Sequence, residues 1–461
     1  MKQFSLLLGA SLLLVIIKIK SLIVDGDTFW AIKAGEWITI NRDVPRSDSF
    51  SWTANGNSWV AHEWLFDLLI YKIHNAFGYY GIALFVSVGL LFILYFLWKL
   101  YAGENKNLVL TIIIYTIVVS MIQSGIVARP QVYGYGFFVY FFYVLYRRKN
   151  LLWTLPPVTV IWANMHGSVV LGIAMLILQL FYDTAYSYFE DKSLSISKDL
   201  FAATILVPLA SLINPYGIEL WKASVSQITN DLNRQIVEWN PPDFKEPVWL
   251  FVYLAIIILT LFISFSKKDV VDKKGFYLLA IYLLGTFYEA MTSVRYFSYL
   301  AICWGLYILT LLPNNLFIDK SWFKKITVVY TLLIVLILFN MDKPPVSTEE
   351  AIDKSKWPIE AVNHIEDKRI FNDYAWGGYL IYKNIPVFID GRADVYWKNY
   401  DVFEDYMNAS RLKKDPIDIF NKYNVEQVII HVDSPLDLYL KRAGGIERYR
   451  DETAVIYYLN E

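Results

Sequence analysis

Side chains that titrate or pair are scarce inside the apolar runs of this chain, and those present gather at the ends of the runs. Asp25, Asp27, His62, Glu63, Arg129, His166, Glu238, Glu289 and Arg295 all occupy such ends or the adjoining loops. An ionisable residue at membrane depth is a functional-site hypothesis by default, although any one of them can instead cap a helix or snorkel to water. Asp25-Gly26-Asp27 opens a long loop directly after the first apolar run. Two carboxylates at i and i+2 can bind a cation, share a proton, or let one act as base while the other orients it. Asp27 can equally cap the helix suggested by Phe29, Ile32 and Trp37.

What must position these groups follows from composition. Of 461 residues, 56% are apolar and 18% charged, against about 25% charged in a soluble domain, so much of the surface faces something other than water. A soluble enzyme is excluded. The 42 basic and 43 acidic residues give a net charge of -1, which supplies no basic field for a polyanion and leaves no nucleic acid among the partners. The single cysteine, Cys303, allows neither an intramolecular disulfide nor a cysteine-based zinc site.

About 20 mostly apolar residues cross a bilayer, and a charge at the centre of a span costs about 2.5 to 3.5 kcal/mol. The runs near Tyr79 to Trp98, Leu108 to Ala128, Gln131 to Tyr146, Leu151 to Ala163, Ser168 to Tyr186, Leu200 to Leu212, Val248 to Ser266, Gly275 to Tyr288 and Tyr296 to Leu312 meet that requirement. An N-terminal anchor at Phe4 to Val24 and a last span at Ile326 to Met341 bring the expected total to about eleven. The first segment lacks a small-x-small cleavage site and continues through Lys18 and Lys20, so it reads as an anchor. With the N-terminus cytoplasmic, alternation puts Arg147-Arg148-Lys149, Lys267-Lys268, Lys273-Lys274 and Lys324-Lys325 all inside. That parity requires His62 to Phe77 to lie along the outer surface as an amphipathic helix.

The expected fold is therefore mostly α, a polytopic membrane domain over residues 1–341 followed by a small extracytoplasmic α/β domain over 342–461. Residues 25–77 form its first outer loop. In the soluble part Trp357 to Ile365 reads as a helix, and Val387 to Ile389, Gln427 to Val432 and Val455 to Leu459 read as strands. Asp390, Arg392 and Asp394 make a polar cluster at a strand end, and turn chemistry alone accounts for Asp-Gly there.

Asp25-Gly-Asp27 with Phe29-Trp30, Gly35-Glu36-Trp37, Trp59-Val-Ala-His62-Glu63-Trp64-Leu65, Arg129-Pro130-Gln131, Trp162-Ala-Asn164-Met-His166-Gly167, Asn214-Pro215-Tyr216-Gly217, Glu238-Trp239 and Phe371-Asn372-Asp373-Tyr374-Ala-Trp376-Gly377-Gly378 run along nearly the whole chain. With a membrane anchor, an acidic motif opening the first outer loop, many further spans and an outer soluble C-terminal domain, they resemble a bacterial branch of the GT-C superfamily of glycosyltransferases. Its relatives include protein O-mannosyltransferases, aminoarabinose transferases and oligosaccharyltransferases. The resemblance implies a sugar donor on polyprenyl phosphate, an acceptor outside the cytoplasm, and a first-loop carboxylate, Asp27 or Asp25, as base. Mannosyltransferase-like members carry a second acid immediately after the first, whereas Gly26 and Thr28 stand there in this chain.

Glycosyl transfer from a lipid phosphate needs a carboxylate near the acceptor hydroxyl, donors on the leaving phosphate, and a dry cleft. Arg129, Arg295 and His166 are the expected phosphate contacts, since a guanidinium pairs bidentately with phosphate. His62, Glu63, Gln131, Asn214 and Glu238 are expected to bind or orient substrate. Direct attack on the anomeric carbon inverts it through an oxocarbenium-like state. No cofactor is required, although His62, Glu63 and His166 can ligate a divalent metal with the aspartates. Two other readings are an O-antigen ligase or polymerase type of enzyme, run by arginine and histidine, and a non-catalytic flippase or assembly partner. A carrier should show polar groups at mid-membrane; here they cluster at one face, which favours an enzyme.

Overall fold

A computed structural model describes residues 26–102, 104, 107–190, 192–230, 236–266, 273–312, 352–366, 369–397 and 400–459. Asp25, the expected anchor and the expected last span lie outside the described residues. Among the described residues the first eleven helices in chain order are α1 Gly26–Asn41, α2 Trp64–Tyr101, α3 Leu108–Ile122, α4 Gln131–Arg147, α5 Leu155–Met165, α6 Val169–Phe189, α7 Lys198–Ser211, α8 Glu219–Thr229, α9 Pro247–Ser266, α10 Lys273–Thr292 and α11 Phe297–Leu311. Then come β1 Ile370–Asn372, α12 Gly377–Tyr382, α13 Tyr400–Ser410, α14 Pro416–Tyr423, β2 Gln427–His431, α15 Pro435–Arg442, β3 Ile446–Arg450 and β4 Ala454–Tyr458. The chain divides into two compact units, one holding the described residues of Leu84–Ile218 and Arg234–Pro344, the other those of Ile23–Ala83, Glu219–Asn233 and Pro345–Glu461.

In the first unit every one of the nine apolar runs coincides with a helix, as a lipid-facing backbone must satisfy its own hydrogen bonds. Among the described residues four helical segments are long and apolar enough to cross a membrane: Trp64–Tyr101, Val169–Phe189, Pro247–Phe265 and Val294–Leu311. Within α2, Gly78 breaks the helical path with φ 57° and ψ -144°, a conformation natural to glycine. The break falls where the sequence divides an amphipathic segment from a span. At the heart of the unit, α11 is buried at every position but Thr310. Buried tyrosine hydroxyls there donate to carbonyls of neighbouring helices, Tyr101 to Ile302 at 2.6 Å and Tyr253 to Ala290 at 2.7 Å, so these two rings are buried with their hydroxyls satisfied.

Charges sort by the end of the bundle. Lys149 and Lys274 converge on Asp183, at 2.7 and 2.9 Å, and Arg147 at the C-terminus of α4 pairs with Glu104. Arg129 precedes the other end of α4, which has 17 residues and so a length of about 25 Å.

The second unit is built on a four-stranded sheet of order β1-β2-β4-β3, with β1 parallel to β2 and the other neighbours antiparallel. β2 and β4 carry the core through Val428, Ile429, Val455 and Ile456. The loop after α1 joins the same unit. Ser51 bridges Val387, Trp52 N donates to the Val387 carbonyl at 3.0 Å, and Val387 N donates to the Phe50 carbonyl at 3.2 Å. Gly377 and Gly378 allow α1 to start against α12, because a Cβ on Gly378 would land on the Gly26 carbonyl and one on Gly377 on the Ile389 carbonyl.

Two local expectations are corrected here. Trp357 to Ile365 is not an α-helix but turns ending in a 3-10 turn at Ala361–His364, since Ile359, Val362 and Asn363 are weak helix formers and buried Trp357 packs on Phe29 instead. Val387 to Ile389 is buried but forms no strand of the sheet; its pairing is the single bridge to Ser51.

Candidate functional site

Two polar clusters carry the residues singled out by sequence, one in each unit. In the first unit Arg129, on the turn before α4, and Arg295, on the turn before α11, meet at Glu238. Arg129 Nη1 donates to Glu238 Oε2 at 3.1 Å and to Oε1 at 3.4 Å, and Arg295 Nη1 donates to Oε1 at 3.4 Å. The Arg295 guanidinium also lies over the Trp239 ring, 4.7 Å from its centroid. The short Val237–Trp239 turn is pinned to the Arg295 segment, as Ser293 Oγ donates to the Glu238 carbonyl at 2.9 Å and Val294 N to the Asn240 carbonyl at 3.0 Å. Two guanidiniums thus converge on one carboxylate, an arrangement suited to an anion.

His166 is buried at the junction of α5 and α6, on the α4 face kept open by Gly134. Ser168 N donates to His166 Nδ1 at 3.2 Å, so the neutral ring carries its proton on Nε2. Ser168 joins His166 to Tyr299, whose ring packs 5.2 Å from that of Tyr135, and Tyr135 lies in the field of Arg129 and Arg295. Side chains thus run in contact from His166 through Ser168 and Tyr299 to Tyr135. Gln131 is buried as the first residue of α4. Asn214 serves its own turn: its side chain accepts from Tyr216 N at 2.8 Å and donates to the Ser211 and Gly217 carbonyls. Glu289 is exposed on α10.

In the second unit Asp27 occupies the first turn of α1, where the helix dipole favours its charge. Its Oδ1 accepts from Trp30 Nε1 at 2.9 Å, and Gly391 approaches so closely that a Cβ there would collide with that oxygen. The next residue, Arg392, is 2% exposed. It pairs bidentately with Asp390 at 2.8 and 2.7 Å, reaches Asp48 at 2.7 Å, and lies between the Phe50 and Trp59 rings at 5.0 and 4.8 Å. Beside it, His62 Nε2 lies 3.4 Å from Glu63 Oε1, and its Nδ1 is 3.2 Å from the Val60 carbonyl. Burial disfavours the charged ring, yet Glu63 and Asp394 more than offset this and raise His62 to about 8. Burial raises Asp394 to about 6, against the pull of His62 and Arg392.

Asp48, Asp67, Trp239 and Ser293 were not legible as members of these clusters. Asp67 is fully buried one turn after Glu63, with no hydrogen bond to either carboxyl oxygen; in sequence it reads as the wet face of an amphipathic helix. Among the described residues no group of three or more His, Cys, Asp or Glu side chains is placed to hold a metal ion.

The chain matches no family model, and no curated protein sequence is similar to it. Among solved structures it is similar to the archaeal oligosaccharyltransferase AglB from Archaeoglobus fulgidus, in complex with an inhibitory peptide and a dolichol-phosphate, with a TM-score of 0.61 at 10% identity over 100% of this chain and 74% of that chain. The chain thus shares the fold of that oligosaccharyltransferase. At this identity the likeness concerns the path of the backbone, and it spans the membrane helices and the C-terminal α/β part alike.

Proposed function

We propose that the protein is a membrane glycosyltransferase that moves a sugar from a polyprenyl-phosphate carrier to an extracytoplasmic acceptor, a glycan, lipid or protein of the cell envelope, with inversion. The observation that carries this reading is the pair Arg129 and Arg295 converging on one anion position in a chain of GT-C-like fold. The AglB structure was solved with a lipid phosphate, which agrees with a donor of that class. In the proposed reaction the acceptor hydroxyl loses its proton to a carboxylate, Asp27 or Asp25, as its oxygen attacks the anomeric carbon. The bond from that carbon to the phosphate oxygen breaks, and the two guanidiniums take up the charge gathering on the phosphate. His166, in contact through Ser168 and Tyr299 with Tyr135, orients that side of the proposed site.

An in vitro assay with purified protein and lipid-linked sugar tests the phosphate assignment. Arg129→Lys and Arg295→Lys keep the charge and lose the planar fork, so an intermediate defect is expected, whereas Arg129→Ala and Arg295→Ala should lower turnover severely, by about 10²-fold or more. Wild-type turnover by both alanine variants at normal protein level rejects the assignment.

The proposed topology has about eleven spans with the N-terminus cytoplasmic and the C-terminal domain outside. The sharing of Asp183 by Lys149 and Lys274 supports one side for both basic clusters. Reporters fused after Lys149 or Lys268 should read cytoplasmic and one at Glu461 extracytoplasmic; an external signal at Lys149 would sink the eleven-span arrangement.

A further inference from the structure

Two lysines are held side by side at the end of the first unit that lies away from Arg129. Lys149 Nζ is 2.7 Å from Asp183 Oδ2 and Lys274 Nζ is 2.9 Å from Asp183 Oδ1, so the ammoniums sit on the two oxygens of one carboxylate. Gln179 Nε2 donates to the same carboxylate at 3.1 Å, and the Tyr182 hydroxyl donates to the Lys274 carbonyl at 2.6 Å, which fixes α6 against the start of α10. The Lys274 ammonium also lies 5.3 Å from the centroid of the Tyr186 ring. The carboxylate does not cover its partners: its side chain is 13% exposed, against 45% for Lys149 and 42% for Lys274. An ammonium has three donors, so the outward sides of the pair present donors at a spacing that Asp183 sets. Arg148 and Lys273, the residues just before them, are exposed as well.

The surface next to Lys274 is apolar. Tyr277, Ile281, Leu284 and Tyr288 are all exposed on α10, and their spacings of four, three and four put them on one helical face. That stripe begins one turn after Lys274 and runs on along the helix, so a charged contact stands at the head of an apolar track. We propose that Lys149 and Lys274 bind the headgroup phosphate of an anionic phospholipid of the phosphatidylglycerol class, with an acyl chain along the α10 stripe. The phosphodiester oxygens accept from both ammoniums on their outer side, as the Asp183 oxygens do on the inner one. Phosphatidylcholine offers the same phosphate but carries a trimethylammonium towards Arg148, Lys149, Lys273 and Lys274, and like-charge repulsion lowers its share. Bound there, the lipid ties the turn after α4 to the first turn of α10. The inference uses the spans and is independent of the chemistry assigned to Arg129 and Asp27.

The test places a photoreactive side chain on the stripe of the full-length protein, either Tyr277→p-benzoylphenylalanine, next to the lysines, or Tyr288→p-benzoylphenylalanine, about 16 Å further along α10. Each is reconstituted in vesicles of equal parts dioleoylphosphatidylglycerol and dioleoylphosphatidylcholine and irradiated, and the lipid adducts are counted by mass spectrometry. At Tyr277 the phosphatidylglycerol adducts should outnumber the phosphatidylcholine adducts by at least about threefold, and at Tyr288 the two should be near equal. Both arms keep the lysines, so they decide the matter even if a lysine variant fails to fold. Lys149→Gln or Lys274→Gln, added to the Tyr277 variant, should bring the ratio close to one. Excess glycerol phosphate in the buffer should leave the ratio unchanged; if it abolishes the enrichment, the ammoniums bind a soluble anion and the lipid site is wrong. No enrichment at Tyr277, equal enrichment at both positions, or a ratio that survives in folded Lys149→Gln and Lys274→Gln overturns the proposal.

Discussion

Replacing Arg392 by methionine is expected to cost the second unit about 3–5 kcal/mol, the usual penalty for removing one partner of a buried ion pair. The guanidinium is 2% exposed and neutralises two buried carboxylates, Asp390 and Asp48, which come from positions 344 residues apart for the Asp48 contact. Without it, two buried carboxylates keep the hydrogen bonds that Tyr396 donates to Asp390 and Ser51 to Asp48, which do not replace a paired buried cation. A domain of this size has a net stability of about 5–15 kcal/mol, so the loss is a large fraction of the whole. Arg392→Lys should fall between, since an ammonium cannot reproduce the fork or the ring contacts. Adding Asp48→Asn and Asp390→Asn to Arg392→Met should restore part of the loss, because the stranded charges disappear. The measurement is limited proteolysis of the full-length protein against temperature, read at cuts within 42–63 and 384–397. A melting profile for Arg392→Met that overlays the wild type would show that this network does not tie the first loop to the C-terminal domain.

The helices were legible because the bilayer imposes a coarse rule. A stretch such as Val248 to Ser266 or Tyr296 to Leu312 has no charge to break it, and the backbone has one economical way to satisfy itself there. The same rule is blind to what is brought together. Nothing in the spacing of Arg129, Glu238 and Arg295 signals that they share one carboxylate, because turns before α4 and α11 and the short Val237–Trp239 turn meet only through the packing of the helices between them. In the soluble part, Gln427 to Val432 and Val455 to Leu459 declared themselves as strands β2 and β4 by β-branched runs that are buried on both faces. β3 did not, since Ile446–Arg450 is a polar edge strand of half-exposed residues, and β1 has three residues, too few for any pattern. Val387 to Ile389 had the composition of a strand but found its partner in Ser51 of the first loop, a pairing that no local window contains. In the polar clusters Asp27 and Arg392 are residues that type singled out, while Asp48 reaches Arg392, and Gly391 reaches Asp27, from distant parts of the chain.

Asp27→Asn is expected to lower transfer by at least about 10²-fold, the effect typical of losing a general base, while the variant folds and binds carrier lipid as before. The surroundings of Asp27 make this a sharp test between chemistry and architecture. Its Oδ1 accepts from Trp30 Nε1, Gly391 leaves room for that oxygen, and the carboxylate sits in the first turn of α1. These contacts hold a catalytic carboxylate in one orientation before substrate arrives, and they equally describe an acidic residue that does no more than stabilise a helix start. Asparagine separates the two, because its carbonyl oxygen can still accept from Trp30 and its size still suits the space beside Gly391, so an architectural Asp27 loses little. A base loses its function outright. Gly391→Ala adds an independent probe: its Cβ must displace the Asp27 oxygen, so if position matters the rate should fall with little change in lipid binding. Asp25→Asn belongs in the same assay, since Gly26 separates the two carboxylates and either can face the acceptor. Near-normal turnover by both asparagine variants would reject carboxylate catalysis and move the chemistry to Arg129, Arg295 and His166, the mechanism of an arginine-histidine ligase.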